Sequence, residues 1–353
     1  MIHTVTLVPG DGIGPEVIGS AQRVLDAAGA PIHWEERHLG SGSDGDGDPL
    51  PSATLDSIRR NGVALKGPIA TGTTGARSPN VGLRRALDMF VQMRPARSMP
   101  GAGSADVDLV VVRETTEDLY RGIEVSAGTR EAEHLASWLV AEGLDDGLGP
   151  NTAFSIKPAS ARAVRRALEF TLTWMRREQR RRLTVVHKAT VMRATDGIYL
   201  DVVADVAGSA TDIEVDSCQI DGACAELVRH PQRFDVMFMP NMYGDIVSDV
   251  TAALTGGVGT APGANHGDSV SVFEAVHGTA PLHAGRDEAN PLAMIRSGVM
   301  LLEHLGERDV AHRIDVAIAR LLAARSCLTY DLLGTTVGAA HTSEVTQELI
   351  DLL

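Results

Sequence analysis

The sequence predicts an α/β protein built around a mostly parallel sheet. Continuous apolar runs at 5–8, 107–112, 183–186 and 234–239 have strand length, and each stands near a stretch with helical spacing. The 36 glycines and 16 prolines are dispersed, as many short βα turns require, and not gathered into a linker. At 353 residues and 44% hydrophobic content, the chain can fill two domain-sized cores.

The first run leads into Pro9, Gly10, Asp11, Gly12, Ile13, Gly14 and Pro15. Val17, Ile18, Ala21, Val24, Leu25 and Ala28 then recur at helical intervals, giving strand, tight turn and helix. The glycines, with Glu35 and Glu36 about 20 residues on, imitate a dinucleotide fingerprint. Pro15 stands where the third glycine is needed, so it reads instead as the first-turn residue of the helix. Asp44, Asp46 and Asp48 alternate like a calcium loop, but Pro49 replaces the required glycine and Leu55 the bidentate acid, leaving a solvated loop. Arg176, Arg177, Arg180, Arg181 and Arg182 close a helical pattern, where cations offset the helix dipole.

Charge narrows the partners. With 46 acids against 32 bases the net charge is −14, which argues against nucleic acid or an anionic membrane. Cys218, Cys224 and Cys327 form no CxxC pair and no even framework, so structural zinc and disulfides lose support and a reducing compartment is expected. The N-terminus lacks a basic leader, and no run approaches the roughly 20 apolar residues of a membrane span. A cytoplasmic protein is expected.

Three groups of residues could carry chemistry. Asp245 and Asp249 lie four apart, so on a helix both carboxylates share one face, and oxygen ligands suit Mg²⁺ or Mn²⁺. Arg84, Arg94 and Arg113, with Ser78 and Asn80 just ahead of the first, could hold a polycarboxylic acid, because guanidinium forks match carboxylates. Lys188 follows the run 183–186, at the end of a strand where a ligand crevice opens and a desolvated lysine can act as a base. Singly, these residues read as an exposed helix face, surface ion pairs and a solvated lysine.

Read together and in order, the motifs resemble the β-decarboxylating dehydrogenases of the isocitrate and isopropylmalate dehydrogenase family along nearly the whole chain. The segments are Pro9-Gly-Asp-Gly-Ile-Gly-Pro-Glu16, Leu65-Lys-Gly-Pro68, Ser78-Pro-Asn-Val-Gly-Leu-Arg84, Arg113-Glu-Thr-Thr-Glu-Asp-Leu-Tyr120, His187-Lys-Ala189, Pro240-Asn-Met-Tyr-Gly-Asp-Ile-Val-Ser-Asp249 and Glu274-Ala-Val-His-Gly-Thr-Ala-Pro281. The resemblance implies a doubly wound, non-Rossmann fold. Residues 1–97 and 256–353 would make a large, cofactor-binding domain, and 98–255 a small one with a dimerisation arm near 125–155. It also implies a homodimer whose active sites mix residues of both subunits.

Carried over by position, Arg84, Arg94 and Arg113 would clamp substrate carboxylates, and Ser78 and Asn80 would read the distinguishing arm. Asp245 and Asp249, with Asp221 of the partner subunit, would hold Mg²⁺ or Mn²⁺. Tyr120 and the partner subunit's Lys188 would handle protons. Ile13, Thr71, His277, Gly278, Thr279, Ala280, Pro281 and Asn290 would bind the cofactor. NAD is expected over NADP, since Leu282 and His283 stand where NADP-using relatives place a lysine and a tyrosine, although Arg286 could reach a phosphate.

The polar Ser78 and Asn80 favour a third carboxylate, hence isocitrate, with homoisocitrate, isopropylmalate or another malate derivative as alternatives. A catalytically silent regulatory subunit is the alternative of another class. Two departures bear on the choice. Thr115 and Thr190 stand where relatives carry asparagine near the substrate and nicotinamide.

Overall fold

The computed structural model describes residues 1–40, 48–70, 78–103, 106–149, 151–207 and 212–353. Its strands are β1 (His3–Val8), β2 (Ile32–Glu36), β3 (Val63–Lys66), β4 (Val91–Arg97), β5 (Asp108–Glu114), β6 (Glu124–Val125), β7 (Phe154–Ser155), β8 (Arg182–His187), β9 (Glu214–Gln219), β10 (Val236–Met239), β11 (Pro262–His266) and β12 (Ser271–Ala275). Its helices are α1 (Gly14–Ala27), α2 (Ser52–Asn61), α3 (Pro79–Ala86), α4 (Arg130–Ala141), α5 (Ala161–Arg177), α6 (Thr195–Ala207), α7 (Ile220–Arg229), α8 (Asn241–Leu254), α9 (Leu292–Leu305), α10 (Arg308–Ala324), α11 (Tyr330–Leu333) and α12 (Thr342–Asp351).

Ten strands form one sheet in the order β2-β1-β3-β12-β11-β4-β5-β10-β8-β9. The first four are mutually parallel, as are the last four. The pairs β12-β11, β11-β4 and β4-β5 are antiparallel, so the two parallel halves run in opposite directions. The α/β expectation holds, and each of the four apolar runs lies on a parallel strand: β1, β5, β8 and β10.

The N- and C-terminal parts share one core. Val17, Ala21, Val24 and Leu25 of α1 pack in a cluster with Leu292, Ile295, Val299 and Leu302 of α9. Separate clusters lie in the second half, on Val110, Val112, Leu183, Val185 and Phe238, and on Val111, Val186, Met237 and Met239. These residues alternate along β5, β8 and β10, so both faces of that half are covered.

The turn after β1 needs its glycines. Gly12 has φ +62°, and a Cβ there would sit 2.0 Å from the carbonyl oxygen of Thr279. The next amide, Ile13 N–H, donates to that same carbonyl at 3.0 Å. The glycine turn is thereby seated against the loop 277–281, and Pro15 stands in the first turn of α1.

The segment expected to be an arm pairs within itself. β6 and β7 pair with each other, outside the main sheet, and on α4 only Ala132 is buried. Ile123, Trp138, Val140, Leu144 and Ile156 are all exposed. The arginines near the end of α5 are occupied: Arg176 pairs with Asp212, Arg177 with Glu178, and Arg180 with Asp108 and Asp235.

Candidate active site

The site lies on one face of the sheet where its direction reverses. Gln92 and Arg94 of β4, Arg113 of β5, Asn265 of β11, Glu274 of β12 and Lys66 of β3 occupy adjoining strands, with Gln92 directly opposite both Arg113 and Asn265. Glu274 stands opposite Lys66. α3 supplies Arg84 from one side and α8 supplies Asp245 from the other.

A buried polar network forms the floor. Lys66, 1% exposed, puts Nζ 2.6 Å from Glu274 Oε2. Asn265 Nδ2 donates to Glu274 Oε1 at 2.7 Å, and Arg84 Nε donates to Asn265 Oδ1 at 2.9 Å. Burial works to raise the Glu274 carboxyl, but Lys66 and Arg84 outweigh it and hold it at about 2. Lys66 Nζ also donates to Asn80 Oδ1 at 3.3 Å, which fixes the amide and leaves its N–H₂ end free of that contact. Ser78 stands at the N-cap of α3 ahead of Pro79, so the local sequence sets the start of the helix that carries Asn80 and Arg84.

The structure brings Arg84, Arg94 and Arg113 close together. Burial and the neighbouring Arg113 guanidinium depress both Arg84 and Arg94 to about 10. Crowded cations away from water are a receptor for a polyanion, because a bound carboxylate relieves both repulsion and desolvation. Asp245 supplies one such carboxylate from within the chain, with Oδ1 2.6 Å from Arg113 Nη1 and 3.3 Å from Arg94 Nη1. The approach depends on Gly244, where a Cβ would lie 2.4 Å from the Arg113 Cβ and hold α8 away from β5.

Tyr120 donates its hydroxyl to Asp245 Oδ2. Burial, reinforced by the Asp245 hydrogen bond and charge, raises the phenol above its ordinary value, so Tyr120 keeps its proton at neutral pH. On the next turn of α8, Asp249 is raised by burial and by the Asp245 charge, with Arg94 only partly offsetting them. Two carboxylates one helical turn apart, offering only oxygen donors, fit a hard divalent cation.

The remaining predicted groups sit elsewhere. Lys188 Nζ donates to Asp221 Oδ1 at 2.6 Å, at the exposed start of α7. Among the described residues no three His, Cys, Asp or Glu side chains gather as a metal-ligand group, so Asp221 does not join Asp245 and Asp249 within one chain. The chain thus carries two separate half-sets of the predicted machinery.

At the loop 277–281, His277 Nδ1 lies 3.0 Å from Gly278 O, while Nε2 is buried without a hydrogen-bond partner. Ala280 is held at φ +37°. An orphaned donor or acceptor beside a strained loop fits a bound polar cofactor. Asn290 is committed internally, with Oδ1 accepting from Leu292 N and Nδ2 donating to Asp331 Oδ2. Ile13 is buried in the core, and Thr71 lies outside the described residues. His283 stacks on Tyr330 at 5.2 Å and bonds Glu288 Oε1 at 2.8 Å.

Neither departing threonine offers a free hook. Thr115 turns its hydroxyl to Met89 O at 2.8 Å inside the fold, and Thr190 donates to Gln219 Oε1 at 2.7 Å beside Asp221. Sequence reasoning left Lys66, Gln92, Asn265, Glu274, Tyr330 and Asp331 out of the site. For Lys66 the available signal was a lysine ending the apolar run of β3, where water-exposed lysine would not be expected.

The profile described as isocitrate/isopropylmalate dehydrogenase matches residues 4–349. The mitochondrial NAD isocitrate dehydrogenase subunit alpha of Homo sapiens is 39% identical over 357 residues, covering 99% of this chain and 92% of that one. The mitochondrial NAD isocitrate dehydrogenase catalytic subunit 5 of Arabidopsis thaliana is 39% identical over 355 residues, covering 99% and 88%. The crystal structure of isocitrate dehydrogenase from Methylococcus capsulatus superposes with a TM-score of 0.90 at 38% identity over 99% of both chains. With sequence, fold and arginine-lined floor in agreement from end to end, the chain belongs to the isocitrate/isopropylmalate dehydrogenase family.

Proposed function

We propose that the protein is an NAD-dependent dehydrogenase that oxidatively decarboxylates a 2-hydroxy tricarboxylic acid, with isocitrate going to 2-oxoglutarate. The observation that carries this reading is the convergence of Arg84, Arg94 and Arg113 around Glu274 and Asp245, with Arg84 and Arg94 both depressed by burial and by the Arg113 charge. Ser78 and Asn80 at the start of α3 supply polar contacts that a third carboxylate uses and an isopropyl group does not.

In this reading the arginines orient the carboxylates, and the partner subunit's Lys188 takes the hydroxyl proton as the carbon is oxidised. Asp245, Asp249 and Asp221 of the partner subunit would hold Mg²⁺ or Mn²⁺. When bound, the cation supplies Lewis acidity to the substrate oxygens, and NAD supplies the hydride acceptor. Tyr120, kept protonated by burial and Asp245, delivers its proton to the carbon that has lost CO₂. Two copies of this chain suffice, because each carries both half-sets; the relatives named as subunits leave a mixed assembly as the other arrangement.

The test is initial rates of nicotinamide reduction with Mn²⁺, crossing isocitrate, homoisocitrate, isopropylmalate and malate against NAD and NADP. The expected result is a kcat/KM for isocitrate with NAD at least about tenfold above every other pair. A higher value for another acid replaces the substrate, and silence on all of them from a folded protein overturns the enzyme reading in favour of a regulatory subunit.

A further inference from the structure

The Lys157 ammonium lies between two buried aspartates that belong to different parts of the catalytic apparatus. Asp196, 0% exposed in its side chain, receives Lys157 Nζ on Oδ1. Its other oxygen, Oδ2, accepts the backbone N–H of Lys188 at 2.7 Å and lies 3.2 Å from the hydroxyl of Tyr243, two residues before Asp245 on α8. Asp118, 3% exposed, receives Met242 N on Oδ2 at 2.7 Å at the start of the same helix. Its Oδ1 is buried with no hydrogen bond, and the Lys157 ammonium 3.9 Å away is the cation facing it.

Asp118 also holds the backbone in an unusual state. Its φ is +68°, a strained conformation that a residue with a Cβ keeps only when its surroundings enforce it. Asp118 then opens the short turn Leu119–Arg121 that aims Tyr120 at Asp245. Lys157 completes the brace with Nζ 4.9 Å from the centre of the Tyr243 ring. Neither Lys157 nor Asp196 faces the arginine pocket by any of these contacts.

We propose that Lys157 is a positioning residue that sets, through Asp118 and Asp196, both the turn carrying Tyr120 and the turn carrying Lys188. Under the shared-site reading above, on which this rests, those two groups serve different active sites. One ammonium then places the acid of its own site and the base of its neighbour's. Removing its charge leaves two buried carboxylates without the cation they share, and both turns relax.

Hybrid dimers of two differently tagged chains separate the two effects. Pairing an Asp245→Asn chain with a Lys188→Met chain leaves one complete site, built from the front half of the second and Lys188 of the first. Adding Lys157→Met to the Asp245→Asn chain disturbs only the Lys188 turn of that site. Adding it to the Lys188→Met chain disturbs only the Tyr120 turn. Each placement is expected to lower kcat by about ten- to a hundredfold with KM for isocitrate nearly unchanged, and Lys157→Arg in either place is expected to restore it. Full kcat in either placement overturns the proposal. If Lys157→Met does not fold, Lys157→Gln takes its place in both hybrids. If the parent hybrid itself is silent, shared sites are disproved; Lys157 is then judged in the unmixed protein, where unchanged kcat in Lys157→Met overturns its role.

Discussion

Tyr120 shows how much one hydrogen bond decides. Bound to Asp245, and raised by burial and by that charge, its phenol is a proton donor and not a phenolate. Tyr120→Phe removes the proton and the hydrogen bond to Asp245 while keeping the ring, so kcat should fall by about 10²- to 10⁴-fold while KM for isocitrate stays close to its original value. Steady-state rates at saturating substrate check this; an unchanged kcat removes the phenol from the mechanism. At this scale spacing made Asp245 and Asp249 legible, since two carboxylates four apart must share a helix face. It could not show Lys66 joined to Glu274, because an ion pair across strands that lie some two hundred residues apart in sequence has no local period. Nor could it show that Thr115 spends its hydroxyl on Met89.

Among elements, the strands that were legible are those buried on both faces, where most residues are apolar. The strands that reverse the sheet were not. β4 reads Val91-Gln-Met-Arg-Pro-Ala-Arg97, with a proline and two arginines, and β11 reads Pro262-Gly-Ala-Asn-His266, so neither has the β-branched alternation that marks a strand. Their pairing with each other and with β5 and β12 supplies what their composition lacks. The arm is the reverse case, a unit visible in sequence only through resemblance and in structure by its exposed apolar side chains. Trp138 is 52% exposed on α4, which suits a residue covered by a second copy. Under the two-copy arrangement proposed above, Trp138→Asp should shift the protein from dimer to monomer in sedimentation velocity and abolish turnover together with it. A monomeric variant with full activity would show that the site closes within one chain.

For the molecule as a whole, the buried floor couples stability to acid. Glu274 titrates near 2 in the fold against 4.5 for the free side chain, so its contribution is complete above pH 4.5 and is lost as pH falls toward 2. Glu114, raised by burial, works in the opposite sense and gains as it takes up a proton. The difference is best read by comparison: a Lys66→Met, Glu274→Gln double variant should lose part of the fall in urea midpoint between pH 4.5 and pH 2, and an unchanged fall would assign the acid sensitivity to other carboxylates. The reversal of the sheet has one more outcome. On β4, Gln92 and Arg94 face the arginine pocket, while Met93, Pro95 and Arg97 line a cavity of about 230 Å³ on the opposite face. A single inserted or deleted codon within this strand would exchange the two faces, sending methionine toward the substrate and arginine into the rear cavity. A substitution along β4 changes one side chain on one face, whereas a change in its length resets every side chain beyond it on both faces at once.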